Sequence, residues 1–428
     1  MLQRKINNVL AIMLLSSSAY AGEIKVPQPS VYSGLDINLK AYASFESGFS
    51  KQNNLKESEK NISANKNGFA FYNDAALYAN ISKNHEETKY GAKIVLVPTA
   101  KRKGSADYNG SHIFIESAFG RIELGSPIPV AANMMISDGS VPTKYIKKNS
   151  SHLKQDTEIS PSFLTSDGCF IGDELTADLK SAPYSSEPPR TINYYTPKFA
   201  LGDSSKLQVG ISYTPDTANT GISNVNEKSY GLQKKTVGLN NIDRFEVDRS
   251  VKDAITAGIL FEQDVTDNIG LKVAVTGEYG TAAGKAKKFI NKDDKQPQEY
   301  KLADVKSYNI GGELQVSNFT FSSCYGSFGN SLTIPEFHKT GRKSSYYSLG
   351  TAYKYNNTTA KVTYFTSDQY KNKVSSIKLN VSHLLAKGLK PYAEISSYTL
   401  KGKPEFHNEL HTKTTKGTVA LVGVKLTL

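Results

Sequence analysis

The chain has 428 residues, among them 25 tyrosines, 18 phenylalanines and 32 glycines but no tryptophan, a composition that suits strands and turns better than helices. Its formal net charge of +12 is spread along the sequence, so it is weak evidence for nucleic acid, and we expect no such partner. After residue 21 no segment approaches the ~20 apolar residues of a membrane helix. The mean hydropathy of −0.41 does not exclude membrane strands, because the apolar and polar faces of such strands average out in this value.

The first 21 residues read as an export signal. Arg4 and Lys5 precede an apolar run from Val9 to Leu15, and Ala19-Tyr20-Ala21 forms a small-x-small cleavage site. The alternative, a retained anchor, is disfavoured because the run is too short to span a bilayer as a helix. We therefore predict cleavage after residue 21 and one domain over 22–428, with 50 basic and 40 acidic residues and a net charge of about +10.

Hydrophobic alternation with period two begins at Gly34, where Leu35, Ile37 and Leu39 alternate with polar residues. The same pattern returns along the chain. It predicts sixteen strands, at 34–46, 75–81, 90–96, 110–118, 120–125, 190–199, 206–215, 252–263, 268–280, 306–316, 319–328, 344–355, 359–366, 374–384, 388–398 and 416–428.

The connections between these strands alternate between short turns and longer polar loops. This pattern predicts an all-β fold, a 16-stranded antiparallel up-and-down transmembrane β-barrel with both chain ends on the periplasmic side. Strands of ~9 to 12 residues, tilted, cross the hydrocarbon layer, and closure leaves no backbone group unpaired in lipid. A soluble β-sandwich is the alternative, but it would not need so regular an alternation of loop lengths.

Four sequence stretches resemble the Gram-negative general porin family. Phe119–Gly125 looks like the porin strand that leads into the constriction loop, and Ala131–Met134 resembles the start of that loop. Arg190–Phe199 and Val209–Asp216 look like the paired strands that follow. The resemblance implies an outer-membrane homotrimer with an aqueous pore in each subunit, passive diffusion of small hydrophilic solutes and ions, and no bound cofactor or metal.

The last residues, Gly423–Leu428, resemble the C-terminal signal that the barrel-assembly machinery reads, so we expect that machinery as a partner. The family signal ends in an aromatic residue, whereas this chain ends in Leu428. Leucine supplies apolar area without an aromatic ring's interfacial preference, which weakens the signal.

The connection over 126–190 is the longest in the chain, and the resemblance implies a long third loop that folds inward and narrows the lumen. It carries eight acidic residues: Asp138, Asp156, Glu158, Asp167, Asp173, Glu174, Asp178 and Glu187. Strand alternation directs further charges into the lumen opposite them: Lys40, Lys93, Arg121, Lys272, Lys361 and Lys378, beside Glu116, Glu123, Glu278 and Glu313.

Opposed rows of charge would create a transverse field that orients polar solutes. We therefore expect the constriction among Lys40, Lys93, Glu116, Arg121, Glu123, Asp138, Asp156, Glu158, Asp167, Asp173 and Glu174. For any one of these residues the alternative is an ordinary solvated charge. The enteric Pro-Glu-Phe-Gly-Gly loop motif is missing, so the constriction residues cannot be transferred by alignment.

The two cysteines are unusual for this class of protein. Cys169 lies in the third loop, and Cys324 should face the lumen because Phe321 and Tyr325 take the lipid-facing positions. In an oxidising compartment a disulfide between Cys169 and Cys324 would pin the loop to the wall, and two unpaired thiols are the alternative.

No sequence motif points to an enzyme. Outer-membrane enzymes of the barrel type are expected to have ten to twelve strands, so the sixteen predicted strands also count against an enzyme. The alternative to a channel is an adhesion or anchoring barrel whose loops bind a partner, with the Lys-rich stretch from Lys285 to Lys301 as the place to look. Outer-membrane lipid and lipopolysaccharide are expected partners, and the loop beginning at Lys101–Lys103 would attract lipid phosphates unless it is merely a soluble basic tip.

Overall fold

The structure is a computed structural model that describes residues 34–52, 68–96, 111–137, 189–217, 244–247, 250–289, 298–333, 344–369, 372–402 and 413–428. The predicted signal at 1–21 lies outside the described residues. The strands before the third loop are β1 Leu35–Gln52, β2 Gly68–His85, β3 Thr88–Leu96, β4 His112–Ser117 and β5 Gly120–Gly125, followed by the short helix α1 Val130–Met134.

The strands after the third loop fall into the barrel wall and a small separate sheet. Those of the wall are β6 Thr191–Tyr195, β7 Phe199–Ala200, β8 Ser205–Asp216, β10 Val251–Thr266, β11 Ile269–Ala282, β14 Val305–Val316, β15 Phe319–Gly329, β16 Ser344–Tyr355, β17 Thr358–Gln369, β18 Asn372–His383, β19 Leu389–Gly402 and β20 Lys413–Thr427. The small sheet contains β9 Arg244–Val247, β12 Lys285–Phe289 and β13 Gln298–Lys301.

The wall is a closed antiparallel sheet in which β1 pairs with both β2 and β20. Its 17 described segments form 16 barrel strands, because β6 and β7 pair with β8 in succession as two parts of one strand. The break between them departs from the unbroken strand predicted over 190–199. Pro197 explains the break, since proline cannot donate a ladder hydrogen bond.

Side chains alternate between two unlike faces around the whole wall. The outward face carries large exposed apolar residues, such as Ile377 with 53% of its surface exposed and Ile259 with 48%. The inward face carries small polar residues that are closely covered, including Thr256 and Ser396, both fully buried. The predicted period-two pattern is therefore confirmed as a barrel with an apolar outside and a polar inside.

Short turns and long connections lie at opposite ends of the barrel, which we call the turn end and the loop end. Glu86, Ser317 and Asn356 each open a two-residue turn with a positive φ, between 49° and 54°. The first two strands extend toward the loop end beyond their predicted limits, to Gln52 in β1 and from Gly68 in β2. The small sheet, attached through connections at the loop end, was not predicted.

Tyrosines on the inward face lie flat over glycines of the neighbouring strand. Gly417 is directly opposite Tyr398, and a Cβ on Gly417 would come within 2.3 Å of the tyrosine ring. Tyr346 covers Gly326 and Tyr392 covers Gly423 in the same way. These pairs let bulky rings pack against the curved wall where a side chain on the glycine would leave no room.

Closure of the barrel involves the last residue of the sequence. The backbone N–H of Leu428 donates to the carbonyl of Ala41 at 2.7 Å, and Ala41 donates back at 3.1 Å. The final strand β20 thus completes the ladder with β1. Among the residues that the structure describes, no helix is long and apolar enough to cross a membrane.

Candidate functional site

The third loop enters the barrel through a stretch that we call the inner segment, residues 126–137. The chain leaves β5 at Gly125, whose φ of +136° is accessible mainly to glycine. A Cβ there would also meet the Ser111 carbonyl at 2.9 Å, while the Ser126 N–H donates to that same carbonyl. This tight exit directs the chain toward the inward face rather than away from the barrel.

Small polar side chains of the wall bind the backbone of the inner segment. The N–H groups of Val130 and Ala131, which begin α1, donate to Ser212 Oγ at 2.7 Å and Thr256 Oγ1 at 3.1 Å. The first N–H groups of a helix lack partners within it, so the wall supplies the acceptors. Asn193 Nδ2 also donates to the Ile128 carbonyl at 2.8 Å, which fixes the approach to the helix.

Glycines in the wall make room for the inner segment. A Cβ on Gly210 would lie 2.8 Å from Val130, and one on Gly258 would lie 3.0 Å from Met134 Sδ. At Gly311 the Ile136 carbonyl oxygen approaches so closely that any side chain would displace it. The inner segment therefore lies against β8, β10 and β14 in sequence.

Further along, the inner segment reaches β16. The Tyr346 hydroxyl lies 3.5 Å from Met135 Sδ, and Asn133 Nδ2 donates to the Tyr195 hydroxyl at 2.9 Å. These contacts place residues 126–137 inside the barrel, as the predicted inward fold of the third loop requires. Residues 138–188 lie outside the described residues, so the constriction itself stays a prediction.

A charged cluster occupies the inward face of β4 and β5. Arg121 donates to Glu123 Oε1 at 2.8 Å and to Glu116 Oε2 at 3.1 Å. His112 Nε2 lies 3.5 Å from the same Glu123 oxygen, and Asn193 donates to the other one at 3.1 Å. Three of the predicted site residues, Glu116, Arg121 and Glu123, are thus brought together at the base of the third loop.

The other two described members of the predicted site lie nearby on β1 and β3. Lys40 is directly opposite Tyr78 of β2, and the ammonium group of Lys93 lies 6.0 Å from the centre of the Tyr78 ring. Lys93 is in turn opposite His112 in the register of β3 and β4. The five residues Lys40, Lys93, Glu116, Arg121 and Glu123 therefore form one continuous patch over β1–β5.

Most of the remaining predicted lumen charges have close partners on the inward face. Lys272 Nζ lies 4.0 Å from Glu313, and Lys378 Nζ lies 3.8 Å from Glu394. Glu278 accepts a hydrogen bond from Ser307 at 3.0 Å. Lys361 lies opposite Asn380 on the same face as Lys378. Six predicted site residues lie outside the described residues: Asp138, Asp156, Glu158, Asp167, Asp173 and Glu174.

Cys324 lies on the inward face, as predicted, with only 2% of its surface exposed. Its Sγ lies 2.9 Å from Ser348 Oγ, and no disulfide joins Cys324 to another residue within the described part of the chain. Cys169 lies outside the described residues, so the disulfide between the two stays a prediction.

Sequence reasoning did not single out the residues that bind the inner segment, namely Asn193, Ser212 and Thr256. Their inward direction follows from strand alternation, as it does for Ser212 beside Ile211. Many other serines and threonines share that direction, however, and only the path of the loop distinguishes these three.

Comparisons with known proteins agree with this architecture. Residues 9–403 match the family model of Gram-negative porins. An uncharacterized protein of Rickettsia bellii is 38% identical over 434 residues, covering 97% of this chain and 98% of its own. One of Rickettsia felis is 36% identical over 444 residues, covering 99% of each chain.

Solved structures share the fold at low sequence identity. The anion-selective porin of Comamonas acidovorans is 13% identical, with a TM-score of 0.51 over 92% of this chain and 100% of its own. The trimer form of OmpT from Vibrio cholerae is 10% identical, with a TM-score of 0.50 over the same shares. On the family match and the whole-length relatives, the chain belongs to the family of Gram-negative porins.

Proposed function

We propose that this protein is an outer-membrane porin through which small hydrophilic solutes and ions diffuse passively. The observation that carries the proposal is the barrel with an apolar outside and a polar inside, into which the first part of the third loop folds and is bound by Asn193, Ser212 and Thr256. We further propose that residues 126–190 narrow the pore, that the mature domain is 22–428, and that the turn end faces the periplasm. The family and fold support a channel rather than an enzyme.

Charge on the lumen wall would set which solutes pass most easily. Lys40 and Lys93 lie on the part of the wall that the inner segment does not touch, on either side of Tyr78. Arg121 shares its charge between Glu116 and Glu123. The two lysines therefore present positive charge toward the water, which would act on passing ions.

Planar-bilayer recording tests the channel. We expect purified protein to insert with stepwise, ohmic conductance, and Lys40→Glu with Lys93→Glu to shift the reversal potential in a salt gradient toward cations. Lys306→Glu is the control, because Lys306 lies outside the lumen over the Tyr279 ring and should leave the reversal potential unchanged. Insertion without conductance would reject the proposal. An equal shift of the reversal potential in the control would show that the current does not pass the two lumen lysines.

We also propose a homotrimer whose contact surface includes β4, β5 and β6. These strands have only six, six and five residues, so they span at most about 20 Å, less than the ~25 Å apolar band of an outer-membrane barrel. Their outward residues are nevertheless apolar, with Ile113 55% exposed and Ile192 49% exposed. A neighbouring subunit would cover this low wall better than lipid, and the similar OmpT of Vibrio cholerae has a trimer form.

Paired substitutions test the contact surface. Ile192→Asn should reduce the trimer band in native gels, whereas Ile377→Asn, a similarly exposed isoleucine on β18, should leave it intact. Equal trimer content in both variants would show that the contact surface does not include β6. Assembly of the barrel by the barrel-assembly machinery through β20 is part of the same proposal.

The alternative function, adhesion or anchoring through the Lys-rich stretch from Lys285 to Lys301, finds limited support in the small sheet. Lys285 and Lys287 both contact Glu299, at 2.7 Å and 3.3 Å. Hydrogen bonds from the two lysines lower the pKa of the Glu299 carboxyl, and the bond from Lys285 has the larger effect. Two lysines of the stretch are therefore already engaged within the sheet. Silent insertion combined with ligand binding would favour this alternative over a channel.

A further inference from the structure

The mature chain proposed above retains only two methionines, and they are neighbours. Four methionines occur in the sequence, of which Met1 and Met13 fall within the signal predicted over 1–21. Met134 and Met135 both belong to the inner segment, where the third loop enters the barrel. Every thioether of the mature protein therefore lies in the part of the loop that the wall binds.

The two methionines differ in burial. Met134 ends α1 with only 5% of its surface exposed, and its sulfur lies over Gly210 and Gly258 of the wall. Met135 follows in an extended conformation and is partly exposed. Because oxidation of a thioether depends on its exposure, an oxidant dissolved in the lumen would reach Met135 before Met134.

The wall residues next to Met135 are held in place. The Tyr346 hydroxyl, 3.5 Å from Met135 Sδ, also accepts a hydrogen bond from Asn309 Nδ2 at 2.7 Å. The Tyr346 ring lies flat over a glycine of the neighbouring strand, so the hydroxyl has little freedom to shift. On the adjoining strand the Ile136 carbonyl touches Gly311 with no spare room. A bulkier or more polar group at position 135 would therefore have to move itself rather than its neighbours.

Oxidation would change Met135 from an apolar to a polar side chain. The thioether sulfur attacks hydrogen peroxide, the O–O bond breaks, one oxygen becomes bound to sulfur, and the other leaves as water with both protons. The sulfur loses two electrons, and these reduce the peroxide. The resulting sulfoxide disrupts apolar packing because its oxygen is better solvated by water than by the wall.

We propose that Met135 is a modification site at which oxidants of the peroxide class loosen the inner segment. The sulfoxide would leave its contact with Tyr346 for the lumen water, and the end of the inner segment would lift off the wall with it. Ser212 and Thr256 would still hold the start of α1, so the change is local. This inference rests on the proposed channel, because hydrogen peroxide, a small hydrophilic solute, would reach Met135 by diffusion through the lumen.

Peptide mapping by mass spectrometry after a graded hydrogen peroxide treatment tests the site. Met135 should gain one oxygen atom at least about tenfold faster than Met134, because only Met134 must first leave the wall. In the oxidised protein the amide N–H groups of Ile136 and Ser137 should exchange faster with deuterium. Equal oxidation rates at the two methionines, or unchanged exchange after complete oxidation of Met135, would overturn the proposal.

Single-channel recording tests the consequence, with each variant compared before and after peroxide. Wild type and the control Met134→Leu should show more open-channel noise and a larger mean conductance after treatment. Met135→Leu, which keeps an apolar side chain but has no sulfur, should not respond. Met135→Gln, a polar side chain of similar length, should resemble treated wild type without any peroxide. A response that persists in Met135→Leu would overturn the proposal.

These measurements separate the modification site from the channel itself. Peptide mapping and amide exchange need no current. A barrel that stays silent in bilayers but is oxidised first at Met135, with faster exchange at Ile136, would reject the channel alone. A conducting barrel whose conductance and noise do not respond to complete oxidation of Met135 would reject the modification site alone.

Discussion

The hydrogen bonds from Ser212 and Thr256 to α1 give a sharp test of how the third loop is held. The double variant Ser212→Ala, Thr256→Ala removes both acceptors from the N–H groups of Val130 and Ala131, two residues that are almost fully buried. A buried N–H without a partner costs about 1–3 kcal/mol, so the pair costs about 2–6 kcal/mol. Water entering from the lumen would favour the lower end of this range.

Hydrogen–deuterium exchange measures this cost directly. Since 1.4 kcal/mol corresponds to a factor of ten, we expect the amides of Val130 and Ala131 to exchange at least about 30-fold faster in the double variant. Single-channel recording should show more open-channel noise and a larger mean conductance, because a looser inner segment occupies a less fixed place in the lumen.

A matched control comes from the part of the wall that the inner segment does not touch. Thr363 and Ser376 are also inward and almost fully buried, on β17 and β18. Their double alanine variant should leave both amide exchange and noise unchanged. If the Ser212 and Thr256 variant exchanged at the wild-type rate, the segment would be held by its packing and the reasoning from hydrogen bonds would be refuted.

Three further predictions concern the wall itself. Gly417→Ala should lower the urea midpoint of unfolding in detergent, with a cost of about 1–3 kcal/mol, because its Cβ would collide with the Tyr398 ring. Gly277→Ala should not lower it, since the nearest atom to that Cβ is 3.5 Å away. Asn193→Asp should lower the same urea midpoint, because it places a second carboxylate beside Glu123 and removes the amide group that donates to Glu123 and to the Ile128 carbonyl. For the two cysteines, a mass shift by an alkylating reagent only after reduction would support the predicted disulfide, whereas labelling without reductant would reject it.

The strand pattern of this barrel was predictable because each strand separates two environments. Ile377 and Leu379 meet the outside while Ser376 and Lys378 meet the inside, so alternation in the sequence directly reports the fold. The break at Pro197 was equally readable in principle. The flanking residues Tyr195 and Phe199 continue the aromatic pattern of a strand, however, and this pattern conceals the break.

The inner segment shows where such prediction ends. Alternation indicates that Ser212 and Thr256 face inward, but it does not say which inward residues receive a returning loop. Contacts such as that of Ile136 with Gly311 join residues far apart in sequence and leave no periodic trace. The small sheet of β9, β12 and β13 was missed for a related reason, since its strands are too short for a clear period.

The inner segment contains no ionisable side chain from Ser126 to Ser137. The ammonium and carboxylate groups of Lys40, Lys93, Arg121 and their neighbours belong instead to the rigid strands. A sideways shift of this stretch would therefore alter how large a molecule fits through the opening while leaving the electric landscape of the strands as it was. In the pore proposed above, changes in the path of this uncharged stretch would therefore act on the width of the opening, and single replacements in the wall beside it would act on its charge, each independently of the other.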